Sequence, residues 1–391
     1  MAEAQPELAW MLFPGNYRWS IASLLALGGA PWGGAELGEI YRIGLALKDR
    51  VGDDQAWYQE WTGAAAHLEQ QGRANRHPQS AAAFLFRAAH YYHIGERFLH
   101  PKTDEGLARF KRGVECFRDA ARQSAFPKIE PVEIPYEGKS LPGLLVHAHR
   151  PQGGRAPAMV YFDGLDITKE IQYFRGVPDL ALRGISCLII DGPGNGESLR
   201  FRGFPLDYRT EKSAGAAFDL LAARSDIDPK RIGVLGISLG GYFAPRAAAF
   251  DSRFACCVAW GAQWDYHAVW QRRFELISKG GPVAMPTPSD HIIWMTGTRS
   301  REEALKALEG FRLAGVVEKI TCPFLLTHGE GDAQIPLVDA QRCFDAVGSK
   351  QKTFKVFTRE EGGYHHCQED NTMIGVAYMW DWLEDVLKPA A

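Results

Sequence analysis

Charge of one sign is not in excess anywhere in this chain. Its 391 residues hold 44 Lys and Arg against 47 Asp and Glu, a formal net charge of −3, so nothing in its balance draws it to a nucleic acid or an anionic membrane. Long apolar runs are missing as well, and none approaches the ~20 residues of a membrane-spanning helix. The stretch Met1-Ala2-Glu3-Ala4-Gln5-Pro6-Glu7 carries acids where a secretory leader carries Lys or Arg, which leads to the expectation of a cytoplasmic protein. Cys116, Cys187, Cys256, Cys257, Cys322, Cys343 and Cys367 are odd in number and lack C-x-x-C spacing. That excludes a disulfide framework and a zinc site, and fits buried thiols in a reducing compartment. No phosphate loop or dinucleotide fingerprint occurs, since Gly192-Pro193-Gly194-Asn195-Gly196 follows the wrong pattern. The expectation is no cofactor and no metal, with a small molecule as partner.

What the chain does have is apolar and aromatic mass, 46% hydrophobic residues and 11 Trp. The aromatics suit an apolar pocket and a well-packed core equally. Up to about residue 125 no alternating strand is visible. Ala64–Gln71, Ser80–Leu99 beneath a Ser80 cap, and Thr103–Ser124 read as amphipathic helices. Such a region must pack somewhere, over the catalytic face, against a second subunit, or as a remote brace. From Lys128 the texture changes. Ile129–Tyr136 and Leu141–His149 read as an edge hairpin, Ala158–Phe162 as a strand buried on both faces, and strands at 185–190, 231–235, 254–260, 320–328 and 354–357 alternate with helices. The fold class expected is α/β, a mostly parallel doubly wound sheet. A helical domain at 1–126 precedes a catalytic domain at 127–391, into which a helical lid is inserted at about 262–318.

Gly236-Ile237-Ser238-Leu239-Gly240 stands between a β-branched run and the helix-favouring Gly241–Ala249. In that strand–turn–helix setting G-x-S-x-G is a nucleophile elbow, its glycines demanded by close approach of strand and helix. The Leu239 N–H opens the following helix and faces the space of the Ser238 hydroxyl. A serine needs a base, and the base an orienting acid. In the α/β-hydrolase order both follow the serine. Asp332, in the loop Gly329-Glu330-Gly331-Asp332, is the expected acid, with Glu330 the alternative. His365 in Gly362-Gly363-Tyr364-His365-His366-Cys367 is the expected base, with His366 beside it as a packing residue. The second oxyanion donor falls on the Leu165 N–H, after the strand ending in Phe162. Asp163 should then be turned away and tied to backbone.

Four stretches together, Phe162-Asp163-Gly164-Leu165-Asp166-Ile167-Thr168-Lys169-Glu170, Asp191–Glu197, the elbow with Gly241, and Trp260-Gly261, resemble the 2,6-dihydroxypseudooxynicotine hydrolase group. This group also includes the fungal yellowish-green-type polyketide-shortening hydrolases. The resemblance extends to the Trp57-Tyr58…Trp61 segment. It implies the α/β-hydrolase fold with a helical amino-terminal domain and a cap, a homodimer, and cleavage of a carbon–carbon bond beside a ketone. By it Ser238, Asp332 and His365 take the triad positions, and an extra cap acid is implied, for which Asp265 and Glu275 are candidates. An esterase or lactonase, or an acyltransferase or cyclase of secondary metabolism, would use the same three residues.

Overall fold

Residues 13–150, 153–281 and 283–389 are described by a computed structural model. Ahead of the first strand lie α1 (Tyr17–Gly28), α2 (Leu37–Leu47), α3 (Asp54–Ala74), α4 (Pro78–Glu96) and α5 (Asp104–Gln123). Their starts follow from local chemistry. Asp53 caps α3 by accepting from Gln55 N and Ala56 N, and Thr103 caps α5 through Gly106 N. The start expected at Ser80 lies earlier, because Pro78, with φ preset and no N–H to leave unpaired, opens α4 behind His77.

The strands are β1 (Ile129–Tyr136), β2 (Lys139–Val146), β3 (Ala156–Phe162), β4 (Ser186–Ile190), β5 (Ile227–Ile237), β6 (Cys257–Trp260), β7 (Phe324–Gly329) and β8 (Lys352–Phe357). They form one sheet in the order β1-β2-β4-β3-β5-β6-β7-β8. β1 and β2 pair antiparallel as the expected edge hairpin, β2 meets β4 antiparallel, and every later pairing is parallel. The connections are α6 (Lys169–Tyr173) and α7 (Val177–Leu182) after β3, α8 (Gly196–Arg202) and α9 (Thr210–Ala222) after β4, and α10 (Gly240–Phe250) after β5. Next come α11 (Tyr266–Ser278), α12 (His291–Met295) and α13 (Arg301–Leu308) after β6, α14 (Leu337–Ala346) after β7, and α15 (Thr372–Leu387) after β8.

The period-two alternation of β3 divides the core. Met159 and Tyr161 face the layer built by α1, α3, α4, α5 and α15, while Ala158, Val160 and Phe162 face α9, α10 and the helices after β6. Trp19, Trp57 and Trp61 fill the first layer, with ring centroids 5.0 Å apart for Trp19–Trp57 and 5.1 Å for Trp57–Trp61. The register then aligns the carboxyl ends of the parallel strands. Phe162 is level with Gly236, Ile237 with Trp260, and Trp260 with Thr327. Loops leaving these ends converge on one edge, where open α/β sheets carry their sites. Among the described residues no helix is long and apolar enough to cross a membrane.

Candidate active site

Ser238 follows β5 directly and is held at φ +58°, a left-handed conformation that costs a non-glycine residue energy. Its neighbours explain how the turn closes. A Cβ on Gly236 would stand 1.9 Å from the Gly240 carbonyl oxygen, and one on Gly240 would stand 2.8 Å from the Phe162 carbonyl oxygen. The Ser238 N–H donates to Trp260 O at 2.8 Å, which ties the turn to β6.

Asp332 leaves the end of β7. Its Oδ1 accepts from Gln334 N at 2.8 Å and Ile335 N at 2.9 Å, and this turn aims Oδ2 at the ring of His366, 2.7 Å from Nδ1. On the far side of that ring, His366 Nε2 lies 2.8 Å from Ser238 Oγ. A carboxylate only accepts, so Nδ1 carries the proton, and Nε2 of the neutral ring accepts from the serine hydroxyl. Glu330 is exposed and takes no part in this chain.

The expected base was His365, and here the structure differs. His365 has extended backbone, φ −87° and ψ −179°, so its side chain and that of His366 leave opposite sides of the chain. The His365 N–H donates to Asp370 Oδ1 at 2.9 Å, and its ring packs edge-on against Tyr364 at 5.2 Å. The ring that touches Ser238 is that of His366. Cys367 then turns left-handed at φ +49°, and its Sγ comes within 3.4 Å of both His366 Nε2 and the Trp260 carbonyl.

The loop after β3 faces the elbow. A Cβ on Gly164 would stand 3.1 Å from Ser238 Cβ. Leu165 lies on this loop, and Leu239 opens α10, with its N–H at the positive end of that helix. Side chains pin the loop's carbonyls. Asn195 Nδ2 donates to Gly164 O at 2.9 Å, Arg97 Nη2 to Leu165 O at 3.3 Å, and Arg97 Nη1 to Asp166 O at 3.0 Å. Below it Lys169 Nζ is buried among Asp191 at 2.8 Å, Glu170 at 2.7 Å and Glu197 at 2.7 Å. Asp163 is not tied to backbone as expected. Both its oxygens are buried with no hydrogen-bond partner among the described residues. Burial, with Asp191 beside it, pushes its pKa well above the usual range. A neutral acid there puts no negative charge beside the elbow.

A cavity of about 480 Å³, counting its open mouth, lies above Ser238. Ile21, Ala22 and Leu25 of α1 form one side, Ile167, Ile237 and Pro286 add apolar surface, and Arg97, Gln172, Arg175, Gln334 and Glu369 supply polar groups. Among the described residues that line it there is no Trp, Tyr or Phe. The two candidate cap acids stand elsewhere. Asp265 Oδ1 caps α11 through Ala268 N at 2.9 Å, its Oδ2 lies 3.3 Å from Arg312, and Glu275 is exposed on the outer side of α11. They diverge because Asp265 is consumed as a helix cap and Glu275 lies off the buried face marked by Tyr266, Val269, Trp270 and Arg273. Among the described residues, the carboxylate that does line the cavity is Glu369, 2.9 Å from Arg175. Sequence reasoning also missed Tyr17, whose hydroxyl stands by Gln334 and is held protonated by burial and by the Asp332 charge. Neither residue belongs to a local motif.

A serine on a glycine-bounded elbow of a mostly parallel eight-stranded sheet, with a histidine and an aspartate from later loops, defines an α/β hydrolase. The Prolyl oligopeptidase family model matches residues 176–390 and the Esterase FrsA-like model residues 47–271. The chain therefore belongs to the α/β hydrolases, within the Prolyl oligopeptidase family over the first span and the Esterase FrsA-like family over the second. It is 29% identical to the 2,6-dihydropseudooxynicotine hydrolase of Paenarthrobacter nicotinovorans, over 90% of this chain and 91% of that protein. It is 28% identical to the 20-hydroxy-prefusarin hydrolase FUS2 of Gibberella moniliformis, over 92% of this chain and 94% of the other. The crystal structure of the 2,6-dihydroxy-pseudo-oxynicotine hydrolase superposes with a TM-score of 0.76 at 26% identity, covering 92% of this chain and 95% of that one. The protein is a hydrolase, and the likeness to this group inferred from its motifs holds along nearly the whole chain.

Proposed function

We propose that Ser238 is a nucleophile, His366 its general base and Asp332 the orienting acid, and that the reaction is cleavage of a carbon–carbon bond beside a ketone in a bulky small molecule. The observation that carries this reading is the unbroken chain from Asp332 Oδ2 to His366 at 2.7 Å and from His366 to Ser238 Oγ at 2.8 Å. His366 takes the hydroxyl proton as Ser238 Oγ bonds to the carbonyl carbon. The displaced electron pair collects on the carbonyl oxygen, and in this reading the N–H groups of Leu239 and Leu165 donate to it. On collapse the carbon–carbon bond breaks, its electron pair leaves with the departing fragment, and His366 returns the proton to that carbon. Water, deprotonated by His366, then releases the acid and frees Ser238.

The names of the two relatives support a small-molecule substrate rather than a peptide. A second reading, an ester or lactone substrate, is favoured by the match to FrsA-like esterases. It needs no cap acid, and neither Asp265 nor Glu275 lines the cavity. The test is turnover of a β-diketone and of an ester with the same acyl group, in water labelled with heavy oxygen. Diketone cleavage with label in the released acid, abolished in Ser238→Ala, is the expected result. Turnover that survives Ser238→Ala overturns the triad. Acyl groups recovered on another nucleophile, with no labelled acid released, would make the protein an acyltransferase.

A further inference from the structure

Three polar residues of the cavity wall touch no reacting atom in the scheme above, and their burial makes them costly. Gln172 is fully buried, and both its amide nitrogen and its amide oxygen are without a hydrogen-bond partner among the described residues. Arg175, 2% exposed, engages Glu369 and the Cys367 carbonyl but leaves Nε unpaired. Arg97, 6% exposed, spends its terminal nitrogens on two neutral carbonyls and also leaves Nε unpaired. A buried amide without partners costs about 1–3 kcal/mol, so a wall that keeps one is built for something that arrives later.

The charge of this wall points the same way. Two guanidinium groups face one carboxylate, Glu369. The carboxylates acting on Arg97 are Asp166, Glu369 and Glu96, and each is already held by another cation, Asp166 by Arg200, Glu369 by Arg175, and Glu96 by Arg200 and Lys102. The wall therefore carries a surplus of positive charge on side chains that are themselves buried. Such a surface stabilises an anion that forms during reaction far better than one exposed to solvent.

Ester and diketone cleavage differ in where that anion forms. An ester places its leaving charge on the oxygen bonded to the attacked carbon, within reach of His366. A 1,3-diketone passes the electron pair of the broken carbon–carbon bond through the departing fragment to its second carbonyl oxygen, three bonds away from the attacked carbon. That oxygen requires an electropositive site of its own, separate from the donors at Leu165 and Leu239.

We propose that Arg97, Gln172 and Arg175 form a second oxyanion site, one that binds the enolate oxygen of the departing fragment and so selects 1,3-dicarbonyl substrates. This rests on the hydrolase reading above and goes beyond it by assigning a leaving-group site. Each electron pair is accounted for. The bond to Ser238 Oγ forms as the carbonyl opens, the carbon–carbon bond then breaks into the enolate, and His366 delivers its proton to the enolate carbon to restore a ketone.

The experiment compares dibenzoylmethane with benzyl benzoate, two benzoyl compounds of similar bulk, in the full-length protein and in Gln172→Leu and Gln172→Glu. Leucine has nearly the shape of the amide and removes buried groups that have no partner, so this variant is expected to keep its fold and melting temperature. Gln172→Leu is expected to lower kcat for dibenzoylmethane about thirtyfold, the worth of one hydrogen bond to a charged group. Benzyl benzoate should change less than about threefold, a shift too small to count as a lost hydrogen bond. Gln172→Glu sets an anion against the enolate and should be slower still on the diketone alone. Equal slowing of both compounds, or of neither, overturns the second site. So does a wild-type enzyme that cleaves benzyl benzoate and leaves dibenzoylmethane intact. Failure of the hydrolase reading would be distinct, since turnover of both compounds would then be indifferent to Ser238→Ala.

Discussion

Arg97 Nη1 lies 3.0 Å from the carbonyl oxygen of Asp166, and Arg97 Nη2 lies 3.3 Å from that of Leu165. Arg97 is the residue that ends α4, so the helices ahead of the sheet reach over and fix the loop facing Ser238. A donor is useful to a developing oxyanion only when it is already in place, and a loop held by its carbonyls cannot swing its N–H away. Arg97→Met should lower kcat by about tenfold to a hundredfold, below the loss from deleting an oxyanion donor outright. Arg97→Lys should recover little of it, because an ammonium cannot span two carbonyls as the planar fork does. Steady-state kinetics on an ester, with circular dichroism to confirm the fold, checks both. A variant with full kcat would show that the loop holds itself.

Two adjacent histidines turn toward different partners. His366 bridges Ser238 and Asp332, while His365 is turned toward Tyr364. His366→Ala should lower kcat by about a thousandfold or more, as removal of a triad base does. His365→Ala should cost less than about tenfold, the range of a nearby packing change rather than a lost base. Parallel measurement of the two variants decides, and a larger loss for His365 would reverse the assignment.

The pair also shows where sequence reasoning stops. A histidine after the last strand was legible from the order of serine, acid and base. Which of two neighbours faces inward depends on the backbone at His365 and on the left-handed turn at Cys367, which no motif encodes. The parallel sheet was readable because strands such as Ala156–Phe162 are apolar on both faces and helices separate them. The elbow was readable because Gly236 and Gly240 are required by contacts with nearby backbone. Arg97 was invisible, since its partners lie 68 and 69 residues away and an arginine at a helix end is ordinary surface chemistry in sequence. The tryptophans were ambiguous, and Trp19, Trp57 and Trp61 fill the core, while the described residues of the cavity wall include none. The stretches Thr168-Lys169-Glu170 and Asp191–Glu197, which carried the resemblance, form the buried ionic support beneath the loop at 164–167.

The acid limb of the pH profile follows from the His366–Asp332 contact. Burial pulls the His366 pKa down, but the Asp332 carboxylate more than offsets it and leaves the ring well above 6.5. The base must be neutral to accept the serine proton, so kcat/KM should rise with pH and level off on the alkaline side of an ordinary histidine. In Asp332→Asn the offsetting charge is gone and burial prevails. The inflection should then fall below its wild-type position, while kcat drops about ten-thousandfold because the ring loses its oriented tautomer. A profile of kcat/KM against pH for both proteins tests this, and an inflection that does not move would remove Asp332 from the chain.

Acid stability should depend on two histidines far from that chemistry. Burial lowers His90 from 6.5 to about 4 and His93 from 6.5 to about 4. His90 donates from Nδ1 to Gly34 O at 2.8 Å and stacks on Phe174, while His93 stacks on Phe110 and bonds Thr168 Oγ1 at 2.9 Å. Above pH 6.5 both rings are neutral whether the chain is folded or not, and they contribute no slope. Between pH 6.5 and about 4 the unfolded chain takes up protons that the folded one refuses, so each ring lowers stability by about 1.4 kcal/mol for every pH unit of acidification. Asp163 acts in the opposite sense there, because its raised pKa makes the folded state hold a proton that the unfolded state releases. The measurable quantity is therefore a difference between proteins. Denaturant unfolding of His90→Asn between pH 6.5 and 4 should show a dependence on pH changed by one such ring, about 1.4 kcal/mol per unit in the stabilising direction on acidification. The same slope as wild type would mean that His90 protonates freely within the fold.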